Sequence, residues 1–62
     1  MSSYVIVHKS KEGKLEKTSV MNEKDAKHYC MSLEVLHGLG THIVVQADKL
    51  QEVDLSKLPA VN

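Results

Sequence analysis

The chain has 62 residues, of which 42% are hydrophobic and 26% charged, and its eight lysines balance eight acidic residues with no arginine. This composition is not that of a disordered chain, and a net charge of zero disfavours a general nucleic-acid binder, which needs excess positive charge to displace counterions. The chain lacks a run of about 18 apolar residues and a secretion signal, so we expect a cytoplasmic protein without membrane association.

The length predicts one small domain over residues 1–62, with residues 1–3 and 60–62 frayed. A domain of this size buries only about 60% of the surface that its unfolded chain exposes. Small domains therefore commonly depend on a disulfide, a metal or a partner subunit. Cys30 is the only cysteine, so no internal disulfide can form, and this cysteine count fits a reducing compartment.

Two strands joined by a tight turn are predicted first. Residues 4–9 read YVIVHK, and the β-branched run at their centre is typical of a strand covered on both faces. Gly13 can adopt the positive φ that a hairpin loop needs. Residues 15–20 then return as a second strand, and the exposed charges of Glu16 and Lys17 are typical of a sheet edge.

A helix of about 16 residues is predicted next from its caps and its apolar period. Asn22 is a favourable N-cap residue, and Gly38 or Gly40 is expected to end the helix. Met21 and Met31 are expected to pack in the core or at its rim. The apolar stripe that should face the sheet recurs at helical spacing and comprises Ala26, Tyr29, Cys30, Leu33 and Leu36.

A third strand is predicted over residues 41–47, which read THIVVQA and are again apolar on both faces. A strand that follows a helix commonly pairs in parallel with a strand already in the sheet, through a right-handed crossover. We therefore expect it to pair in parallel with residues 4–9, the other strand with two apolar faces.

Two alternatives remain open for the tail. Asp48 can cap a short helix through Leu50 and Val53, or residues 51–55 can form a short fourth strand. Residues 54–58 are expected to form a single helical turn that ends before Pro59, because a proline disfavours helical backbone at the preceding residue.

These elements predict an α+β fold: a β-hairpin, a helix and a strand, with one helix packed on a three- or four-stranded sheet. Many small proteins of bacteria and their phages share this order of elements, but architecture does not carry function. No motif in the sequence places the chain in a particular family.

One helix can cover only one face of such a sheet. The other face would expose β-branched side chains together, and a contiguous apolar patch on a small protein usually marks an interface. We therefore predict a homodimer whose interface includes Tyr4, Ile6 and Val44. The alternative is that the tail folds back over that face. No acid–base constellation points to an enzyme, so we predict a non-enzymatic accessory or regulatory protein that binds another protein.

Lysines around the hairpin suggest a nucleic-acid-binding module as an alternative function. A β-ribbon can enter a nucleic-acid groove, but Glu12 and Glu16 interrupt the series and no arginine supports base contacts. We therefore prefer a solvated hairpin. The residues that would contact phosphates are Lys9, Lys11, Lys14 and Lys17.

Histidines suggest a further alternative, a metal or small-ligand site that involves His8 and His42. If their strands are neighbours, both side chains can share one face of the sheet near Tyr4 or Gln46, and one of them can titrate near neutral pH. The spacing of the histidines and Cys30 does not match a zinc site, so we assign no metal and no cofactor. Cys30 is expected to be a small buried hydrophobe rather than a nucleophile.

Overall fold

A computed structural model of the chain describes residues 3–61, and its elements form an α+β fold. In chain order these are β1 (Tyr4–Lys9), β2 (Leu15–Lys17), α1 (Glu23–His37), β3 (His42–Gln46) and a 3₁₀ helix (Ala47–Glu52). The strands form a three-stranded antiparallel sheet in the order β2-β1-β3. The predicted fold class is confirmed, and residues 3–61 contain no fourth strand.

The hairpin closes around Gly13, whose φ of 86° suits glycine. Strand β2 is shorter than the predicted span of residues 15–20, because at Thr18 a side-chain oxygen replaces the backbone carbonyl as a hydrogen-bond acceptor for β1. Its Oγ1 accepts a hydrogen bond from the Ile6 N–H at 3.1 Å. Pairing resumes where Met21 faces Tyr4, one residue later than the Val7–Lys17 register requires, so the edge strand bulges here.

Helix α1 begins and ends as predicted. The side chain of Asn22 accepts a hydrogen bond from the backbone N–H of Asp25 at 2.7 Å, which caps the first turn. Gly38 follows the last helical residue with a φ of 118°, and its N–H donates to the carbonyl of Glu34.

The width of the buried stripe on α1 was predicted wrongly. Ala26 and Cys30 are its buried residues, and Leu33 is half-buried. Tyr29 and Leu36 are 48% and 76% exposed. The small residues Ala26 and Cys30 are one turn apart and form a narrow contact strip. Tyr29 and Leu36 lie about 60° and 80° around the helix from Ala26, so their side chains do not reach the sheet. Met31, expected in the core or at its rim, is also exposed.

The predicted parallel pairing of the third strand was wrong. β3 pairs antiparallel with β1, with Ile6 opposite Val44 and His8 opposite His42. A single helix returns the chain to the end of the sheet where the preceding strand began. That strand is β2, so β3 runs parallel to β2, and β1 lies between them with the opposite direction.

The C-terminal tail (residues 47–61) covers the sheet face opposite α1. Val5, Val7 and Val45 pack there against Leu55, and several half-buried side chains complete the cluster, namely Ile43, Ala47, Leu50 and Leu58. The short-helix alternative for the start of the tail is the one observed, as a 3₁₀ helix. A turn before Pro59 follows, in which the Leu58 N–H donates to the Leu55 carbonyl.

The end of the tail pairs with β1 rather than fraying. Ala60 forms a parallel bridge with Lys9, the Val61 N–H donates to the Lys9 carbonyl at 2.8 Å, and Val61 is buried. The Lys9 ammonium also donates to the Ser56 carbonyl at 2.9 Å. Ser3, for which fraying was also expected, accepts a hydrogen bond at its carbonyl from the Ala47 N–H at 2.8 Å. Residues 1, 2 and 62 lie outside the described residues.

Because both faces of the sheet are covered within one chain, the excess of apolar strand surface on which the predicted dimer depended is largely absent. Ile6 is 0% exposed, and residues 5, 7 and 45 are buried, whereas residues 43 and 44 are half-buried. A surface for a partner must therefore be sought at the edges of the sheet or outside it.

Candidate functional site

The largest apolar side chains that remain exposed are concentrated at the C-terminal end of α1. Four of them are 65–88% exposed and follow one another along the last helical turns and the next loop, and we call them the helix-end patch: Met31, Val35, Leu36 and Leu39. Contiguous apolar side chains on a small protein commonly mark a contact surface. The sequence pattern predicts Leu36 in the core and Met31 in the core or at its rim, so both positions differ from the prediction.

The loop that presents Leu39 is fixed by glycines and by one carboxylate. Gly38 and Gly40 both have positive φ, so the chain reverses sharply between α1 and β3. A Glu34 Oε2 atom accepts from the Gly40 N–H at 2.7 Å. Leu39 is held at the tip of this turn, where its side chain faces solvent.

The helix-end patch lies in a part of the chain that is almost free of charge. Glu34 is the only acidic or lysine residue between positions 28 and 46. Its carboxylate is half-buried and engaged by Gly40, so it does not offer a free charge at the surface. The surface formed by the end of α1 and the following turn is therefore apolar and nearly uncharged.

Three histidines stack in a row beside this turn. The ring centroids of His8 and His42 are 4.9 Å apart, and those of His37 and His42 are 5.5 Å apart, with interplanar angles of 29° in both pairs. His8 and His42 share the helix-facing side of the sheet because they face each other across β1 and β3. The predicted juxtaposition of His8 and His42 is confirmed, and His37 is a third member that was missed.

The hydrogen bonds around His42 fix its tautomer. The Thr41 hydroxyl donates its hydrogen to the Gly38 carbonyl at 2.7 Å, so its oxygen must accept from His42 Nδ1 at 2.8 Å. The neutral ring of His42 therefore carries its hydrogen on Nδ1. This chain of two bonds ties β3 to the end of α1.

Burial lowers the pKa of His42, and the neighbouring His8 and His37 rings lower it further, against a smaller opposite effect of Glu34. Its side chain is 5% exposed. His8 has a different environment, since its Nε2 lies 3.1 Å from a Glu16 carboxylate oxygen on β2. The stack thus joins one buried ring to two more accessible ones.

The geometry of the stack does not favour metal ligation. The described residues contain no group of three or more histidine, cysteine, aspartate or glutamate side chains placed to hold a metal ion. Rings that stack face to face direct their nitrogens along their own planes, so the lone pairs do not converge on a point as tetrahedral coordination requires. A metal or small-ligand site that involves His8 and His42 stays a prediction.

Cys30 is buried in the strip of α1 that faces the sheet. Burial raises the pKa of its thiol, and the Glu34 carboxylate, whose Oε1 lies 3.7 Å from Sγ, raises it further. A thiol with a raised pKa is a poor nucleophile. This environment fits the predicted packing role.

The residues predicted for other sites do not form one surface. Of the three expected interface residues, Ile6 is fully buried within the chain, whereas Tyr4 and Val44 are half-buried. The four lysines all belong to the hairpin: Lys9 is bonded to the tail, Lys11 and Lys14 lie in the loop between the strands, and Lys17 lies on β2. Nucleic-acid binding through these lysines stays a prediction.

Comparisons with known proteins do not identify the site. No family model, no curated protein and no solved structure matches this chain. Within residues 3–61, none of the helices is long and apolar enough to cross a membrane. The exposed surfaces of the chain are therefore the features from which a function can be inferred.

Proposed function

We propose that this protein is a non-enzymatic interaction module that forms a homodimer through the helix-end patch. The observation that carries the proposal is the exposure of Met31, Val35, Leu36 and Leu39, at 65–88%, in a chain whose sheet is otherwise covered. The proposal keeps the self-association expected from the sequence but moves the contact from the sheet to α1.

The charge pattern favours a second copy as the occupant of the patch. A partner with a charged surface would lose hydration against side chains that offer no opposite charge. The same patch on another copy is apolar and nearly uncharged, and interface cores are depleted in charge in this way. The chain has a net charge of zero, so two copies do not repel each other.

The size of the patch predicts a weak dimer. Burying a Val, Leu or Met side chain is worth roughly 1.5–3 kcal/mol, so the eight side chains of a dimer supply on the order of 10 kcal/mol. Association costs about 4–15 kcal/mol. We therefore expect a dissociation constant between tens of micromolar and millimolar, the range of a weak, transient dimer.

Sedimentation velocity over that concentration range tests the proposal. The wild-type chain should shift from monomer to dimer, and Val35→Lys should remain monomeric because it places a lysine from each copy in the apolar contact. Val20→Lys is the matched control, since Val20 is 61% exposed outside the patch and the charge change is the same. A wild type that stays monomeric at millimolar concentration, or equal effects of both substitutions, contradicts the proposal.

Disulfide trapping tests the geometry of the contact. Val35 lies at the centre of the patch, so a two-fold axis through the patch brings the two copies of this residue together. In a Cys30→Ala background, Val35→Cys should form a covalent dimer under mild oxidation, whereas Lys24→Cys, at the opposite end of α1, should not. Equal cross-linking of both variants would indicate random collision and would refute a specific interface.

A further inference from the structure

A second surface lies on the opposite side of the sheet from α1, between β2 and the tail. It is a groove of about 430 Å³ between β2, with the neighbouring Val7, and the tail. Its lining residues are Val7, Leu15, Glu16 and Lys17 on one wall and Leu50, Gln51, Val53 and Leu55 on the other. The register of the sheet places Val7, Leu15 and Lys17 on one face, because Val7 faces Lys17 and Leu15 faces Lys9. We call this feature the β2 groove.

The outer edge of β2 runs along the groove with free backbone groups. The Lys14 carbonyl and the Thr18 N–H point inward, where they bond Ser10 and Ile6 of the neighbouring chain segment. Strand geometry alternates, so the N–H and C=O groups of Leu15 and Lys17 point outward. No strand within residues 3–61 pairs with this edge.

Short, charged edge strands are usually protected from pairing, but here an apolar groove lies beside the free backbone groups. We propose that the β2 groove binds an extended peptide segment of another protein by strand addition. Main-chain hydrogen bonds to Leu15 and Lys17 would align the segment, and every second side chain would enter the groove. This inference does not depend on the helix-end patch.

The charge at the groove indicates the kind of peptide. Lys17 has no ion-pair partner within the described residues. Glu16 also lines the groove, but the register directs its side chain to the other face, where its carboxylate lies 3.1 Å from His8 Nε2. The groove-facing side of the edge therefore carries one uncompensated positive charge. An extended segment whose groove-facing positions are apolar, except for one acidic residue next to Lys17, would complement both the groove and this charge.

A second copy of the chain fits this edge less well. In a two-fold antiparallel pair, a register centred on Glu16 or on Lys17 sets two like charges directly opposite each other, which is destabilising. A register centred on Leu15 runs into the turn at residues 11–13, which is not extended. A foreign extended segment avoids both conflicts.

Selection from a displayed library of random seven-residue peptides on the wild-type chain tests the proposal. Enriched peptides should carry apolar residues at every second position, with an acidic residue in this same set of positions next to Lys17. In NMR titrations they should shift the amide signals of Leu15 and Lys17. N-methylation of the peptide at its pairing positions should abolish binding, while N-methylation at the alternate positions should not, because only the former removes bonds to β2.

Variants of the groove complete the test. Val53→Glu should weaken peptide binding by about tenfold or more, since it places a carboxylate at an apolar contact. Val20→Glu is the matched control, and Val35→Lys should also bind normally, because neither residue lines the groove. The proposal is overturned if no peptide is enriched over background, if Val53→Glu and Val20→Glu bind alike, or if the shifts map to the helix-end patch.

Discussion

The two faces of the sheet are covered by opposite means. On the tail face, a segment with little regular structure supplies large side chains, and Leu55 packs against Val5, Val7 and Val45. On the helix face, a regular 15-residue helix makes its contact through the small residues Ala26 and Cys30. In this molecule the irregular tail therefore buries the larger side chains against the sheet, and the regular helix buries the smaller ones.

This difference explains where the exposed apolar side chains lie. A helix that contacts a narrow sheet through small residues leaves most of its circumference in water. Its remaining apolar residues, including Val35 and Leu36, are then available for another chain. On the tail face the large side chains are instead buried against the sheet of the same chain. The β2 groove lies at one edge of this face.

Truncation of Leu55 should produce the largest effect, because it removes the centre of the tail contact. We expect Leu55→Ala to lower the free energy of unfolding by about 2–5 kcal/mol, as for other buried leucines. Chemical denaturation measures this change. Val53→Ala is the control, since Val53 lies nearby but is partly exposed, and it should cost much less. If Leu55→Ala cost no more than Val53→Ala, the tail would not be an integral part of the core.

Local signals in the sequence were sufficient for the hairpin and the helix. The β-branched run of β1, the glycine at position 13 and the Asn22 cap each act within a few residues, so their outcome does not depend on distant contacts. The antiparallel direction of β3 was also predictable in principle. A single helix returns the chain to the end of the sheet where β2, the preceding strand, began. β3 therefore runs parallel to β2 and antiparallel to β1.

Other features depend on contacts that a sequence pattern does not encode. Helical periodicity locates the centre of a buried stripe but not its width, which is why Leu36 was placed in the core. The tail carries no period that would locate Leu55 against the sheet. For the histidine stack, a signal did exist: His37 and His42 flank a turn with glycines at 38 and 40, and such a turn brings its ends together.

An intermediate effect is expected where the helix face is made bulkier. Ala26 is fully buried, and the small contact strip lets α1 approach the sheet closely. Ala26→Leu should therefore destabilise the chain by about 1–3 kcal/mol through overpacking. Ala60→Leu, at an exposed alanine, should change stability by less than about 0.5 kcal/mol. Stabilisation by Ala26→Leu in denaturant titrations would indicate unfilled space under the helix and would reverse the comparison of the two faces.

The smallest effect should come from the histidine that joins the helix face to β3. Burial and the neighbouring rings hold the pKa of His42 below its ordinary value near 6.5. The groups that face it are His8 on β1, and His37 and Glu34 on α1. Above the unfolded pKa the ring is neutral in both states. As pH falls from that value towards the lowered folded pKa, His42 becomes protonated in the unfolded chain but stays neutral in the folded chain. The free energy of unfolding therefore decreases over this range.

Urea denaturation across this acidic range should therefore show a decline in unfolding free energy that levels off below the folded pKa. His42→Asn should flatten the decline, because asparagine does not titrate and can keep a donor near Thr41 Oγ1. His28→Asn is the matched control, since His28 is exposed on α1, and it should leave the pH dependence unchanged. An unchanged slope in His42→Asn would assign the acid sensitivity to other groups and would leave the buried ring with a packing role, like that of Cys30 on the same face.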